Sequence, residues 1–563
     1  MDNNHSRFIL EESNDEFQFS KSKSNIDIKF NRVAFIFFVF FVISLIYSIH
    51  LVHLGSRKSD IKISKQSKLT NLIKRADIID INGTFLAKTV SSIDIGINPI
   101  EIIDKKKLLL NLKYIFPNKN YDLIKSNIEK KKFFWFEKKI SEENYEKLMN
   151  LGDKSIKPEE KIRRLYPQKN LFSHIIGQID DDNIGISGLE KSLDEQLKNN
   201  DTPIQLSVDK DIQFLIREEL LKYNKIFKTL GSAAILMNVN NGEIISIVSL
   251  PDFDPNQRNT ITDVNYINRA TKGVYELGSV FKTFTIASGL NEGLIEPNTK
   301  FLDSKKIIYC DNNRPIREYD DKMPSDLTVE QILIRSGNIG SVRIARKIGI
   351  EKHKSFLKKI GILDQIEFDI EEVGIPRPLN WNEGCKLETI SYGHGITTTI
   401  LQLVNAYSII ANGGYQIHPT LIKTNKNLKR ERLLKKDVSN KITPILRKIV
   451  TTKEGTASLA NVEGYEVGGK TGTAQKSAAG GYSRDKINTF ASIFPISKPK
   501  YSLVVMLDEP KINSEYIYHY RDGSGIKYKG TPFNTAGWTS VEVAGQIIEK
   551  IGPILATKYK EIN

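Results

Sequence analysis

Ser279-Val280-Phe281-Lys282 places a hydroxyl and an amine three positions apart. On a helix these share one face, so the amine can reach the hydroxyl proton. Ser336-Gly337-Asn338 adds a second hydroxyl and an amide, and Lys470-Thr471-Gly472-Thr473 adds a cation and two more hydroxyls. A lysine held in a dry site near other cations loses basicity and acts as a neutral base. Together the residues supply a nucleophile at Ser279, a base at Lys282, a polar relay at Ser336 and Asn338, and a cationic strand at Lys470 that can hold a carboxylate. That is equipment for acyl transfer through a serine ester. A lone Ser-x-x-Lys carries little, since it recurs at Ser207/Lys210 and Ser355/Lys358. A serine opening a helix is ordinarily a cap. Specificity lies in the ordered set, with 57 residues from Ser279 to Ser336 and 134 from Ser336 to Lys470.

Such chemistry needs elements to position it. The apolar residues Phe281, Phe284, Ile286 and Ala287 predict a helix starting at Ser279, whose N-terminus stabilises negative charge developing there. Ile332-Leu333-Ile334-Arg335 predicts a helix ending at Ser336, with Gly337 taking the tight bend. Val467-Gly468-Gly469 before Lys470 predicts a strand approached closely by another backbone, and an extended peptide added along that edge suits the position. Strand patterns occur at 466–475, 489–494 and 501–508, and at 233–237 and 244–248 around Asn240-Asn241-Gly242, a hairpin signal. Helical patterns fill 279 to about 410. Strands at both ends with helices between predict an α/β domain whose sheet is assembled from distant segments. Asp211 is placed to cap a helix over 212–223, and 191–197 reads as a short helix. Ile78-Ile79-Asp80-Ile81 reads as a strand entering a turn at Asn82-Gly83.

In this order the motifs resemble those of the penicillin-binding transpeptidases and the serine β-lactamases. Asn268-Arg269-Ala270 followed by Tyr275-Glu276-Leu277-Gly278-Ser279 is similar to the nucleophile stretch of class B penicillin-binding proteins. Gly455-Thr456-Ala457 and Gly464-Tyr465 ahead of Gly469-Lys470 fit the approach to their third motif. Arg75 through Gly83, Leu86-Ala87, Arg164-Leu165-Tyr166-Pro167, His174, Gly177, Gly185, Gly188 and Glu190 resemble their pedestal domain. The likeness runs from about residue 70 to about residue 550. It implies a penicillin-binding transpeptidase fold, a sheet flanked by helices with a helical subdomain. An elongated α+β pedestal and one N-terminal transmembrane helix would precede it. It also implies roles: Ser336 shuttles a proton, Asn338 orients Lys282, and Thr471 and Thr473 bind a terminal carboxylate beside Lys470 and Gly472. The backbone N–H groups of Ser279 and Thr473 form the oxyanion hole, at a few kcal/mol per donor. Two departures stand out. Leu277 occupies a position where proline is common, and 535–539 lacks an Ala-Ala-Pro, which weakens the placement of the last strand. The chemistry calls for no cofactor and no metal, and the eight histidines show no metal-ligand spacing.

At 563 residues the chain exceeds a single core. Its net charge of +15 is scattered in short runs such as Lys105-Lys106-Lys107 and Lys130-Lys131-Lys132. That pattern argues against nucleic acid and fits a membrane surface or an anionic cell wall. Residues 33–54 are apolar and carry no Lys, Arg, Asp or Glu; at about 1.5 Å per residue they cover roughly 33 Å, enough to cross a bilayer. A long polar stretch precedes the run and Ser56-Arg57-Lys58 follows it, the pattern of an uncleaved signal anchor. Lys21, Lys23, Lys29 and Arg32 before it are balanced by Arg57, Lys58, Lys62, Lys65 and Lys68 after it. Charge therefore does not orient the span; the resemblance does, placing the N-terminus in the cytoplasm and the catalytic domain in the periplasm. The expected organisation is a cytoplasmic tail at 1–32, the anchor at 33–54, linker and pedestal (dimerisation) domain at 55–202, and the transpeptidase domain at 203–555. Cys310 and Cys385 are either free thiols or a disulfide.

The resulting expectation is a D,D-transpeptidase of septal peptidoglycan synthesis in the bacterial inner membrane. Its substrates are D-Ala-D-Ala stem peptides, and β-lactams are its covalent inhibitors. No polymerase-length segment separates span from pedestal, so a separate glycosyltransferase and other division proteins are expected partners. The alternatives are an elongation-type enzyme, a β-lactam sensor or β-lactamase, and an inactive anchored scaffold. Residues 371–380 end in Pro378-Leu379-Asn380 without the Glu-x-x-Leu-Asn spacing of a class A β-lactamase.

Overall fold

The computed structural model describes residues 32–56, 75–257, 262–309, 315–424, 430–478 and 481–558. The tail before residue 32, the linker at 57–74 and Cys310 lie outside the described residues. Cys385 is not a free thiol.

Residues 1–73 and 74–563 make two separate units. In the first, Arg32–Ser56 is one helix. Its stretch Phe35–Val52 has a mean hydropathy of 2.6, and none of it is buried against protein. A helix apolar on every side is suited to lipid.

The second unit begins in a pedestal. Its strand Phe85–Ile97 runs antiparallel to Ile156–Leu165, from Lys88 opposite Leu165 to Ile97 opposite Ile156. Ile95, Ile97, Leu108, Leu112, Ile124, Ile128, Phe136, Leu148 and Ile156 give the distal lobe its own core. At the base, Ile78–Ile79 pairs antiparallel with Phe85–Ile97 across a turn at Gly83 (φ +83°) and parallel with Ile204–Gln205. The pedestal positions singled out in the sequence converge there. The fully buried Glu190 accepts from Arg75 (2.9 Å) and Arg164 (2.7 Å). Removing one partner of such a buried pair strands a charge, at about 3–5 kcal/mol. The helix expected at 191–197 is two pieces, Gly188–Ser192 and Asp194–Asn199, because the chain breaks at Leu193.

The catalytic sheet has the order Gly468–Ala478, Gly481–Phe494, Tyr501–Asp508, Gly231–Asn238, Ile244–Leu250, antiparallel throughout. It is thus an α/β domain whose sheet comes from both ends of the sequence. Every residue of the last three strands is buried. Lys210–Phe227, Ser540–Lys558 and the apolar Ile400–Ala411 pack on the sheet and cover it. The first of these helices is capped by Asp209, not Asp211: Asp209 Oδ1 accepts from the N–H groups of Asp211 and Ile212. Asp211 lies within the first turn, where its charge still faces the positive helix end. Residues 535–539 form no strand. Ala536–Trp538 is a 3-10 turn leading into the final helix.

Candidate active site

Gly278–Val280 forms a 3-10 turn that continues as the helix Phe281–Asn291. Ser279 is partly exposed on this turn, while Lys282, one helical turn on, is 1% exposed. The turn is crowded against the edge strand Gly468–Ala478. A Cβ on Gly472 would lie 2.1 Å from the Leu277 carbonyl oxygen, and one on Gly278 (φ +64°) would lie 2.8 Å from that of Thr473. Glycine is required at both places by the closeness of two backbones. The strand is at the end of the sheet order, with Lys470 opposite Ala491 and Thr473 opposite Asn488.

Two buried amines meet on one hydroxyl. Lys282 Nζ donates to Ser336 Oγ (3.1 Å), to Asn338 Oδ1 (2.7 Å) and to the Ser336 carbonyl. Lys470 Nζ donates to the same Ser336 Oγ (3.0 Å) and to the Thr471 carbonyl (3.0 Å). Ser336 ends the helix Val329–Arg335 in the left-handed region, at φ +60°. The bend expected at Gly337 therefore falls on the serine, and Gly337 is extended, with φ −64° and ψ 128°. For a residue with a side chain this conformation costs about 1–3 kcal/mol, and it aims both oxygens of Ser336 at Lys282. Burial brings Lys282 down to about 7, against an opposing pull from the Glu318 carboxylate. Burial, and then the neighbouring Lys282, hold Lys470 well below the ordinary lysine range. Two amines sharing one hydroxyl in a dry site disfavour double protonation, so one of them is poised as a free base.

Sequence reasoning missed Glu318. Its carboxylate accepts from the N–H groups of Asn338 (2.7 Å) and Ile339 (2.8 Å) at the start of the helix Asn338–Ile348, where Gly337 has no side chain to cap it. Asn338 Nδ2 donates to the Arg317 carbonyl (2.8 Å), which turns Oδ1 toward Lys282. No local signal marks Glu318, because the strand pair Ile307–Tyr309 and Pro315–Arg317 carries it to a helix end 20 residues away.

On the strand, Thr471 Oγ1 is engaged with Thr456 Oγ1 (2.7 Å). Thr473 Oγ1 accepts from the N–H of Ala536 (3.0 Å) and keeps its own proton for a ligand. The site thus brings together Ser279, Lys282, Ser336, Asn338, Lys470, Thr471, Gly472 and Thr473. Among the described residues no group of His, Cys, Asp and Glu is arranged to hold a metal ion.

Comparison with known proteins matches residues 232–525 to the penicillin binding protein transpeptidase domain and residues 71–221 to the penicillin-binding protein dimerisation domain. The chain is 29% identical over 501 residues to the probable peptidoglycan D,D-transpeptidase FtsI of Caulobacter vibrioides, spanning 86% of this chain and 82% of that one. It is 28% identical over 474 residues to the probable peptidoglycan D,D-transpeptidase PenA of Neisseria meningitidis serogroup A, spanning 78% of each. Stage V sporulation protein D of Bacillus subtilis is 29% identical over 486 residues, spanning 78% of this chain and 74% of that protein.

Proposed function

Because this chain belongs to the penicillin-binding protein transpeptidase family, we propose that it is a membrane-anchored peptidoglycan D,D-transpeptidase that cross-links stem peptides during septal wall synthesis. The observation that carries this reading is the meeting of Lys282, one helical turn after Ser279, with Lys470 on Ser336 Oγ. In the proposed reaction, Lys282 as free base takes the Ser279 proton, and Ser279 Oγ attacks the carbonyl between the two D-Ala residues. The N–H groups of Ser279 and Thr473 receive the oxyanion. Lys470 and the hydroxyls of Thr471 and Thr473 hold the terminal carboxylate, and Gly472 lets the strand lie close to the nucleophile turn. The proton held by Lys282 returns through Ser336 to the departing amine, while Asn338 keeps Lys282 in place. The amine of a second stem peptide then resolves the ester. β-Lactams enter the same path as substrate mimics.

The lactamase alternative loses ground in the segment where its deacylating glutamate would lie. Glu371 pairs with Lys191 (2.8 Å), and Glu372 accepts from the Gly188 N–H (3.0 Å), so both carboxylates face the pedestal. The test is intact mass of the purified full chain with benzylpenicillin. One long-lived adduct is expected. Rapid turnover would mean a β-lactamase, and no adduct an inactive scaffold.

The helix Arg32–Ser56 supports anchoring in the inner membrane. The N-terminus is assigned to the cytoplasm and the catalytic unit to the periplasm, with a separate glycan polymerase and other division proteins as partners. The septal assignment rests on the likeness to FtsI. Depletion should give filaments with unsplit septa, and a fluorescent fusion should gather at mid-cell. Cells that round up yet still divide would transfer the protein to elongation.

Glu318 supplies a further expected result. Its charge opposes the loss of basicity at Lys282. Glu318→Gln should therefore move the acid limb of the acylation rate to lower pH. Glu318→Ala also removes the cap on Asn338 and should lower the rate at all pH by about ten- to a hundredfold. Stopped-flow acylation across pH checks both, and an unmoved limb in Glu318→Gln would rule out the electrostatic link.

A further inference from the structure

Glu276 lies three residues before the nucleophile, and its side chain is 9% exposed. Its carboxylate gathers donors from two other parts of the chain. The N–H of Gly395 donates to Oε2 (3.0 Å), Tyr482 Oη donates to Oε1 (3.0 Å), and Ser477 Oγ reaches Oε1 at 3.4 Å. His394 Nδ1 stands 3.8 Å from Oε2, and its ring lies against that of Tyr482, with centroids 4.5 Å apart. The loop carrying His394 and Gly395 is itself pressed on the nucleophile turn: a Cβ on Gly393 would lie 2.0 Å from the Gly278 carbonyl oxygen.

Ser477 and Tyr482 oppose each other near the end of the hairpin formed by Gly468–Ala478 and Gly481–Phe494. This hairpin also carries Lys470 to Thr473. Within the hairpin, the neighbouring strand Tyr501–Asp508 pairs with residues 487–494 alone. Residues 476–478 and 481–485 therefore overhang the sheet as a two-stranded ribbon, with a register shift between Gln475 and Ser477. A two-stranded ribbon alone is marginal in water. Lys476, on the sheet side, is held by Asp508 and Glu509 at 2.8 Å each. Toward the nucleophile turn, the holding group is Glu276.

We infer that Glu276 is a positioning residue, a clasp that fixes the spacing between the nucleophile turn and the hairpin strand bearing Thr473. Ser279 supplies one proposed oxyanion donor and Thr473 the other, on opposite sides of the clasped gap. Their separation decides how well both meet the same oxygen, and small errors there are costly. The clasp therefore acts on the acylation step and little on prior binding. The inference rests on the transpeptidase reading above.

The test uses the full chain, with three single variants and one double, read by the acylation rate, the affinity of the non-covalent penicillin complex, and hydrogen exchange. Gln can accept from Gly395 N–H and donate to Tyr482 Oη, so Glu276→Gln should retain the clasp and acylate within about twofold of the parent. Glu276→Ala should slow acylation by about tenfold or more, with affinity changed less than about threefold. Tyr482→Phe should slow it less. The double variant should be no slower than Glu276→Ala, because both remove one shared contact. Amides of 476–478 and 481–485 should exchange faster in Glu276→Ala while those of 501–508 stay protected. The idea is overturned if Glu276→Ala acylates normally, if Glu276→Gln is as slow as Glu276→Ala, or if the two losses multiply. Should Glu276→Ala not fold, Tyr482→Phe alone decides: normal acylation and normal exchange in it would overturn the clasp. A parent protein that forms no adduct would sink the transpeptidase reading instead, and the exchange measurement would still report whether Glu276 holds the ribbon.

Discussion

Replacing Ser279 by alanine should abolish the penicillin adduct completely while leaving the melting temperature within a few degrees of the parent. The side chain sits partly exposed on a 3-10 turn, so removing one oxygen takes little from stability. The rest of the constellation, from Lys282 to Thr473, stays in place but has nothing to acylate. The Ser-x-x-Lys pairs at Ser207 and Ser355 do not offer a substitute. Ser207 is 1% exposed and its hydroxyl donates to the Ile244 carbonyl (2.8 Å). Ser355 lies mid-helix in Ile350–Lys359, where the facing Lys358 stands 3.8 Å from Asp364 rather than buried beside a second amine. Peptide mapping of the parent checks the point. An adduct found on any serine but Ser279 would dismantle the assignment of the whole site.

What could be read from sequence, and what could not, divides along the range of the interactions. The hairpin at Gly242 (φ +83°) was legible because a two-strand turn needs its left-handed residue in place. The convergence of Lys282, Ser336, Asn338 and Lys470 was legible because three short motifs in one order resemble those of the penicillin-binding transpeptidases. Local geometry was less secure. Asp211 looked like the cap from its place before the apolar run, but the helix begins earlier and Asp209 meets its end. Gly337 looked like the bend because glycine tolerates positive φ. Ser336 adopts it instead, since two hydrogen bonds from Lys282 offset the strain. Glu318 and Glu276 were beyond reach. Their partners lie 20 and more than a hundred residues away, and a glutamate with distant partners leaves no periodic trace. Both hold catalytic elements in place rather than reacting, which is why motif logic passes over them.

Lys282→Ala should lower the acylation rate by at least about a hundredfold, the usual scale for a positioned proton-transfer group. In the parent, the rate should rise with pH through about 7 and level off above it. The sign follows from the site. Burial brings this amine from its ordinary 10.5 down to about 7, so below that pH it carries a proton and cannot accept the one on Ser279. The same shift has a thermodynamic face. Between about 7 and 10.5 the unfolded chain binds this proton and the folded chain does not, so this group's effect on stability becomes more favourable as pH rises through that window. Two neighbours should move the acid limb in opposite directions. Removing the Glu318 charge takes away an attraction for the protonated amine and moves the limb down. Lys470→Met takes away a repulsion between amines that share Ser336 Oγ and moves it up. Opposed shifts in the two variants place the titrating group at Lys282. Shifts of the same sign, or a limb that survives in Lys282→Ala, would place the base elsewhere and leave Lys282 as a support for Ser336.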